Sequence, residues 1–231
     1  MPLKNYRTKR DYYIYLVISE TPTEFGKLIR RFGKIKYNHA SIAFDEDLRY
    51  LYSFGRRQYK NPMNAGLVRE YPDRFTLRRF SRINVRIYKV PVTKDQYLQA
   101  KSRILEIKHD DDGYLYNLFS VLSYPLLRRC FHTYKSFTCA EFVAHMMRHV
   151  GIFREPDKFS CDYTPEDIGE RVKDWLFFDG NLLDYWTHAP DVRHHFFDKP
   201  GYTQTAKTYC ALPVRLLYRK IRFRNKYAAV M

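Results

Sequence analysis

The sequence predicts an α+β chain in which a β-sheet packs against helices. Asp11–Ser19 is β-rich and almost continuously apolar, the pattern of a central strand. His39–Phe44 and Leu48–Phe54 flank the acidic turn Asp45-Glu46-Asp47, which reads as a hairpin and so as an antiparallel pair. Apolar residues recur at helical spacing in several other stretches, each with a capping residue ahead of it.

Taken in order, the strand Asp11–Ser19 is followed by a predicted helix over Thr21–Phe32. Thr21 is its N-cap, Pro22 occupies the first helical position and Glu24 completes a capping box. Phe25, Leu28, Ile29 and Phe32 form its apolar stripe, and Gly33 ends it. After the hairpin, Gly55–Gly66 is rich in breakers and charge and reads as a loop, and Asp73–Phe80 as a short edge segment. Ile83–Val90 alternates apolar and polar residues as a half-exposed strand, bounded by Pro91. Thr93 caps a helix to about Lys108, with Tyr97, Ala100, Ile104 and Ile107 on one face. Asp110–Gly113 is a turn, because its carboxylates lack the alternating oxygens and terminal glutamate of a calcium loop. Tyr114–Leu127 is strongly apolar and reads either as core or as a wall of a cleft. Thr164 and Pro165 open a helix to about Val172, and Trp175–Gly180 is a final strand and turn.

Composition limits the function. With 45% hydrophobic and 17% aromatic residues in 231, the chain folds as one domain with additions, assigned to residues 1–186, plus a basic extension over residues 187–231. A net charge of +16 favours an anionic partner: acidic lipid, nucleic acid or an acidic polymer. Cys130, Cys139, Cys161 and Cys210 match no zinc spacing. His188, His194 and His195, near Asp191 and Asp198, match no ligand pattern either, so no metal or cofactor is expected. The apolar run after the basic N-terminus lacks a cleavage site, and no stretch is long enough to span a bilayer. The expectation is a cytoplasmic protein with reduced thiols, peripheral to a membrane if the basic tail binds one.

The chemistry centres on Lys135–Gly151. Phe142, Val143, Met146, Met147 and Val150 form a helical stripe, Gly151 stops it, and Ser136 or Thr138 caps it. Cys139 therefore falls on the first turn, where unpaired backbone N–H groups and the helix dipole stabilise a thiolate. Two roles fit that position: a nucleophile, or a small buried hydrophobe opening a core helix. Upstream, Lys36–Phe44 carries His39 at the start of a strand. An imidazole brought against the Cys139 sulfur supplies the base that cysteine hydrolases need.

The pair Asn38-His39-Ala40-Ser41-Ile42 and Thr138-Cys139-Ala140-Glu141-Phe142-Val143 resembles the NlpC-type papain-like cysteine hydrolases. The histidine strand precedes the cysteine helix, which is the order of the circularly permuted branch. The resemblance covers roughly residues 11–180, and the Thr-Pro-x-Asp helix start at Thr164 extends it. It implies a papain-like antiparallel sheet packed against helices, Cys139 as nucleophile and His39 as base. It also implies a third polar residue on the following strand. Ser53 matches that position, with Tyr52 beside it, although neither is the His, Asn or Asp expected there. Arg56 and Arg57 then face either an acidic part of the substrate or solvent.

The C-terminal run Pro213–Tyr227 interleaves cations with apolar and aromatic residues. As a helix it places Leu217, Ile221 and Arg224 on one face and suits an acidic-lipid surface. As a strand it groups Ile221, Phe223 and Asn225, and the same composition fits an RNA-contacting tail or a plain basic terminus. Two functions follow. One is a cysteine peptidase, amidase or acyltransferase acting on a peptide, acyl-amide or acyl-ester bond through a thioester. The other is a catalytically inactive relative that binds anionic membrane or nucleic acid.

Overall fold

A computed structural model describes residues 12–110, 113–127, 131–155, 159–186 and 195–223. The chain runs β1 (Tyr12–Ser19), α1 (Glu24–Gly33), β2 (His39–Ala43), β3 (Tyr52–Gln58), β4 (Asn61–Arg69), α2 (Pro72–Thr76) and β5 (Asn84–Val92). It continues through α3 (Lys94–Lys108), β6 (Leu115–Tyr116), α4 (Leu118–Leu127), β7 (Ser136–Phe137), α5 (Cys139–His149), α6 (Pro165–Arg171), β8 (Leu176–Asn181), α7 (Leu182–Tyr185) and α8 (Tyr202–Arg222). The α+β class therefore holds. A six-stranded sheet has the order β4-β3-β2-β1-β5-β8, and every neighbouring pair is antiparallel. The short strands β6 and β7 pair in parallel beside it.

The apolar run of β1 is explained by burial on both faces. Ile14, Leu16 and Ile18 point to one side, where α3, α5 and α6 supply Ala100, Ile104, Phe142, Val143, Met146 and Ile168. Tyr15 and Val17 point to the other, against Leu48, Leu51, Phe75, Leu182 and Trp186. At roughly 1.5–3 kcal/mol for each large apolar side chain removed from water, these two layers are the main stabilising term. The predicted stripes of α3 and α5 are the buried ones. Gly151 closes α5 with φ +70°, a conformation in which any Cβ is strained.

Several elements differ from the sequence reading. The N-cap of α1 is Thr23, whose Oγ1 accepts from the Gly26 N–H at 2.9 Å. Thr21 is displaced from that role because its Oγ1 accepts instead from Asn38 Nδ2, at 2.6 Å. The α1 stripe is not core: Leu28 and Phe32 are exposed, while the side chain of Phe25 lies outside the described residues. Gly55–Gly66 is a β-hairpin rather than a loop. Gly55 pairs with Gly66 in register, and Pro62 is tolerated because β4 is an edge strand. The return strand accordingly begins at Tyr52, not Leu48, since Leu48 and Leu51 anchor the connection in the second apolar layer. The predicted edge segment after Asp73 is the helix α2, opened by Pro72. The tail takes the helical option, and α8 starts well upstream at Tyr202 with Pro213 inside it.

The extension is not detached. Leu212 and Leu216 of α8 pack with Leu115, and the Tyr59 N–H donates to the Phe196 carbonyl at 2.7 Å. Cys130, His188, Asp191, His194, Arg224 and Asn225 lie outside the described residues. The expectation of reduced thiols fails at Cys161, which is disulfide-bonded, whereas Cys139 and Cys210 are free. That removes the thiol argument for a cytoplasmic setting. Among the described residues, no helix is long and apolar enough to cross a membrane.

Candidate active site

Two elements bring the key side chains together. Cys139 is the first residue of α5, behind the N-cap Thr138. The Thr138 hydroxyl accepts from the Glu141 N–H, and the Glu141 carboxylate accepts from the Thr138 N–H, each at 3.1 Å. This capping box fixes the first turn and is worth on the order of 1 kcal/mol. Glu141 is itself buried, which pushes its carboxyl up to about 8 although Thr138 and Asn117 donate to it. The helix crosses β2 and β3, so its tip lies over the start of β2, where His39 sits.

That strand start is held from several sides. The Asn38 N–H donates to the Ser19 carbonyl at 3.1 Å, and Asn38 Oδ1 accepts from the Thr21 N–H and from Arg30, both at 2.9 Å. The Asn38 carbonyl lies 3.9 Å from Cys139 Sγ.

His39 and Cys139 each favour the charged form of the other. His39 Nε2 lies 3.0 Å from Glu70 Oε1. Burial alone would raise the thiol. The imidazolium of His39 and the backbone N–H groups of Ala40 and Ala140 outweigh it, and the thiol is held below its ordinary range. Burial likewise disfavours a charged His39, yet the Cys139 thiolate and the Glu70 carboxylate raise it to about 10. Each group thus shifts toward its charged form, the thiol downward and the imidazole upward.

Glu70 is the residue the sequence reading missed. It follows β4, is almost fully buried, and receives three side chains: His39, Ser53 at 2.5 Å and Arg74 at 2.5 Å. Burial opposes its charge, but Arg74, His39 and Ser53 hold the carboxyl well below the usual range. Ser53, expected as the third residue, donates to Glu70 rather than to His39, and so supports the carboxylate that meets the ring. A lone glutamate between the stretch read as a loop, Gly55–Gly66, and the one read as an edge segment, Asp73–Phe80, carried no spacing signal. Its only trace was Arg74, one helical turn later.

A cleft of about 350 Å³ opens over this triad. Ile29, Met63, Leu118, Leu122 and Phe196 supply apolar walls, so Tyr114–Leu127 contributes to a cleft. A smaller hollow beyond Cys139 shares Ile29, Asn38 and Tyr116 with it. Tyr116 is half-buried and lines both hollows together with Cys139; desolvation and negative charge on the sulfur both raise its phenol, so it stays a proton donor. Of the expected substrate-binding residues, Arg56 lines the cleft; Tyr52 and Arg57 do not. Tyr52 packs on the main core, and the Arg57 guanidinium lies over Gly66, where a Cβ would meet it. Arg56 has no carboxylate within ion-pair distance among the described residues; its Nη1 donates to the Tyr59 carbonyl at 3.3 Å. Burial and the neighbouring Arg74 both lower it. His195 meets Asp198 at 2.6 Å on the surface, and no metal-holding cluster occurs among the described residues.

No family model, curated protein or solved structure matches the chain.

Proposed function

We propose that this protein is a cysteine hydrolase or acyltransferase, of the permuted NlpC-type papain-like kind, acting on amide, peptide or acyl-ester bonds. The observation that carries the reading is the Cys139–His39–Glu70 relay beneath an apolar cleft. Cys139 Sγ attacks the carbonyl carbon, and the electron pair moves to the carbonyl oxygen. The Cys139 backbone N–H at the helix start and the Tyr116 phenol are the available donors to that oxyanion. The His39 imidazolium then protonates the leaving nitrogen or oxygen as the thioester forms. Water or a second acceptor, deprotonated by His39, resolves the thioester and returns the thiolate. Glu70 holds the ring in orientation and stabilises its charged form throughout.

p-Nitrophenyl esters of short and medium-length fatty acids test this. The expected result is a burst of nitrophenolate and an acyl adduct on Cys139, both abolished in Cys139→Ala. Turnover that persists in Cys139→Ala overturns the reading. The alternative, an inactive binding protein, drew on the positive charge and on the weakness of Ser53 as an orienting group; Glu70, not Ser53, stands against the ring.

The uncompensated Arg56 favours substrates that carry a carboxylate or phosphate. Cys139 should therefore react with iodoacetate faster, relative to iodoacetamide, than a free thiol does. Arg56→Ala should lower that ratio about tenfold, the effect of losing roughly 1.4 kcal/mol of attraction in a half-buried site. An unchanged ratio removes Arg56 from the substrate site.

A further inference from the structure

The face of α8 turned away from the protein serves no contact yet described. Leu212, Leu216 and Arg219 are its buried side. Val214, Leu217, Tyr218 and Ile221 follow at i, i+3, i+4 and i+7 on the opposite side, and are 66%, 51%, 60% and 70% exposed. Apolar side chains scattered singly on a surface need no explanation, but a continuous helical stripe does. Lys207 and Arg222 are exposed on the same helix. A second, smaller patch of the same make-up lies on α1, where Leu28 and Phe32 are exposed beside Arg31 and Lys34. Both helices adjoin the cleft: Ile29 of α1 lines it, and so do Met63 and Leu118, which pack on the α8 cluster.

We infer that α8, with α1, docks the protein on an anionic bilayer surface. An acidic membrane accepts apolar side chains into its interfacial layer and neutralises the cations beside them. A nucleic acid would neutralise the cations but offers Val214, Leu217 and Ile221 no apolar phase to enter. A second copy would bring two chains of net charge +16 together. Docking also bears on the proposed chemistry, since it would present the cleft to acyl substrates held at the membrane. That extension rests on the hydrolase reading; the docking itself does not.

The test is sedimentation of the full chain with vesicles of phosphatidylcholine alone and of phosphatidylcholine with phosphatidylglycerol. The protein should bind the anionic vesicles and not the neutral ones, and weaken as salt rises. Lys207→Gln with Arg222→Gln should weaken binding about thirtyfold. Leu217→Asp with Ile221→Asp should weaken it at least about tenfold without changing Tm, because both side chains are exposed. Cys139→Ala should bind as the parent does, so that loss of catalysis and loss of docking are read separately. Absence of binding, equal binding to both vesicles or full binding by the Asp pair overturns the inference. So does a dimer that the Asp pair dissociates, or binding confined to single-stranded RNA.

Discussion

His39→Ala should slow alkylation of Cys139 at about pH 7 by roughly two orders of magnitude. The thiol is buried, and burial by itself raises it; the imidazolium is the largest influence in the other direction. Without it, the backbone N–H groups of Ala40 and Ala140 act alone against desolvation. Each unit by which the thiol rises above neutrality costs about tenfold in thiolate. Alkylation with iodoacetamide in a Cys210→Ser background isolates the effect, since Cys210 is the other free thiol among the described residues. The fold should survive, because Glu70 keeps Arg74 and Ser53. The same variant should alter stability against pH. His39 is raised to about 10 in the folded chain, against about 6.5 when unfolded. Its contribution is therefore complete below about pH 6.5 and is lost as pH rises through about 10. Chemical denaturation should show that decline in the parent and not in the variant. Equal alkylation rates would mean that the imidazole does not activate the thiol.

Glu70→Gln should lower turnover of an acyl ester by about 10²- to 10⁴-fold, the range for removing the charge behind a catalytic imidazole. The amide keeps the shape but not the charge that stabilises imidazolium, so the pH profile should also move to lower pH on its alkaline limb. A merely structural role would leave that limb where it is. The substitution also strips Arg74, itself buried, of its counter-charge, at a cost of about 3–5 kcal/mol. Unfolding must therefore be followed alongside turnover. Because the Glu70 carboxyl is depressed when folded, its contribution is present above about pH 4.3 and is lost as pH falls further. Ser53→Ala is the milder comparison. It removes one of three partners from the carboxylate and should cost no more than about tenfold in turnover.

Much of this architecture was legible because local signals and tertiary packing agree. The stripe of α5, its Thr138 cap and Gly151 all lie where spacing put them, and so does the continuous apolar run of β1. The reading failed where long-range contacts override local preference. Gly55–Gly66 has loop composition, yet its two glycines face each other across a hairpin whose partner strand cannot be seen in a window of sequence. Thr21 has every mark of a cap, but a side chain from Asn38 claims its hydroxyl. Cys139 and His39, the proposed nucleophile and base, were readable because each sits at the start of a regular element. Glu70 was not, because its role depends on four side chains converging from four separate elements or their ends, and nothing in its own neighbourhood announces that.

The measurement closest to the central claim is the ultraviolet absorbance of the Cys139 thiolate against pH, taken as the difference between the parent and Cys139→Ala. The account predicts that the thiolate forms below the pH of about 8.5 at which an unperturbed cysteine ionises, and that His39→Ala moves its formation to higher pH. A signal that first appears above about pH 8.5, and is the same with and without His39, would contradict it.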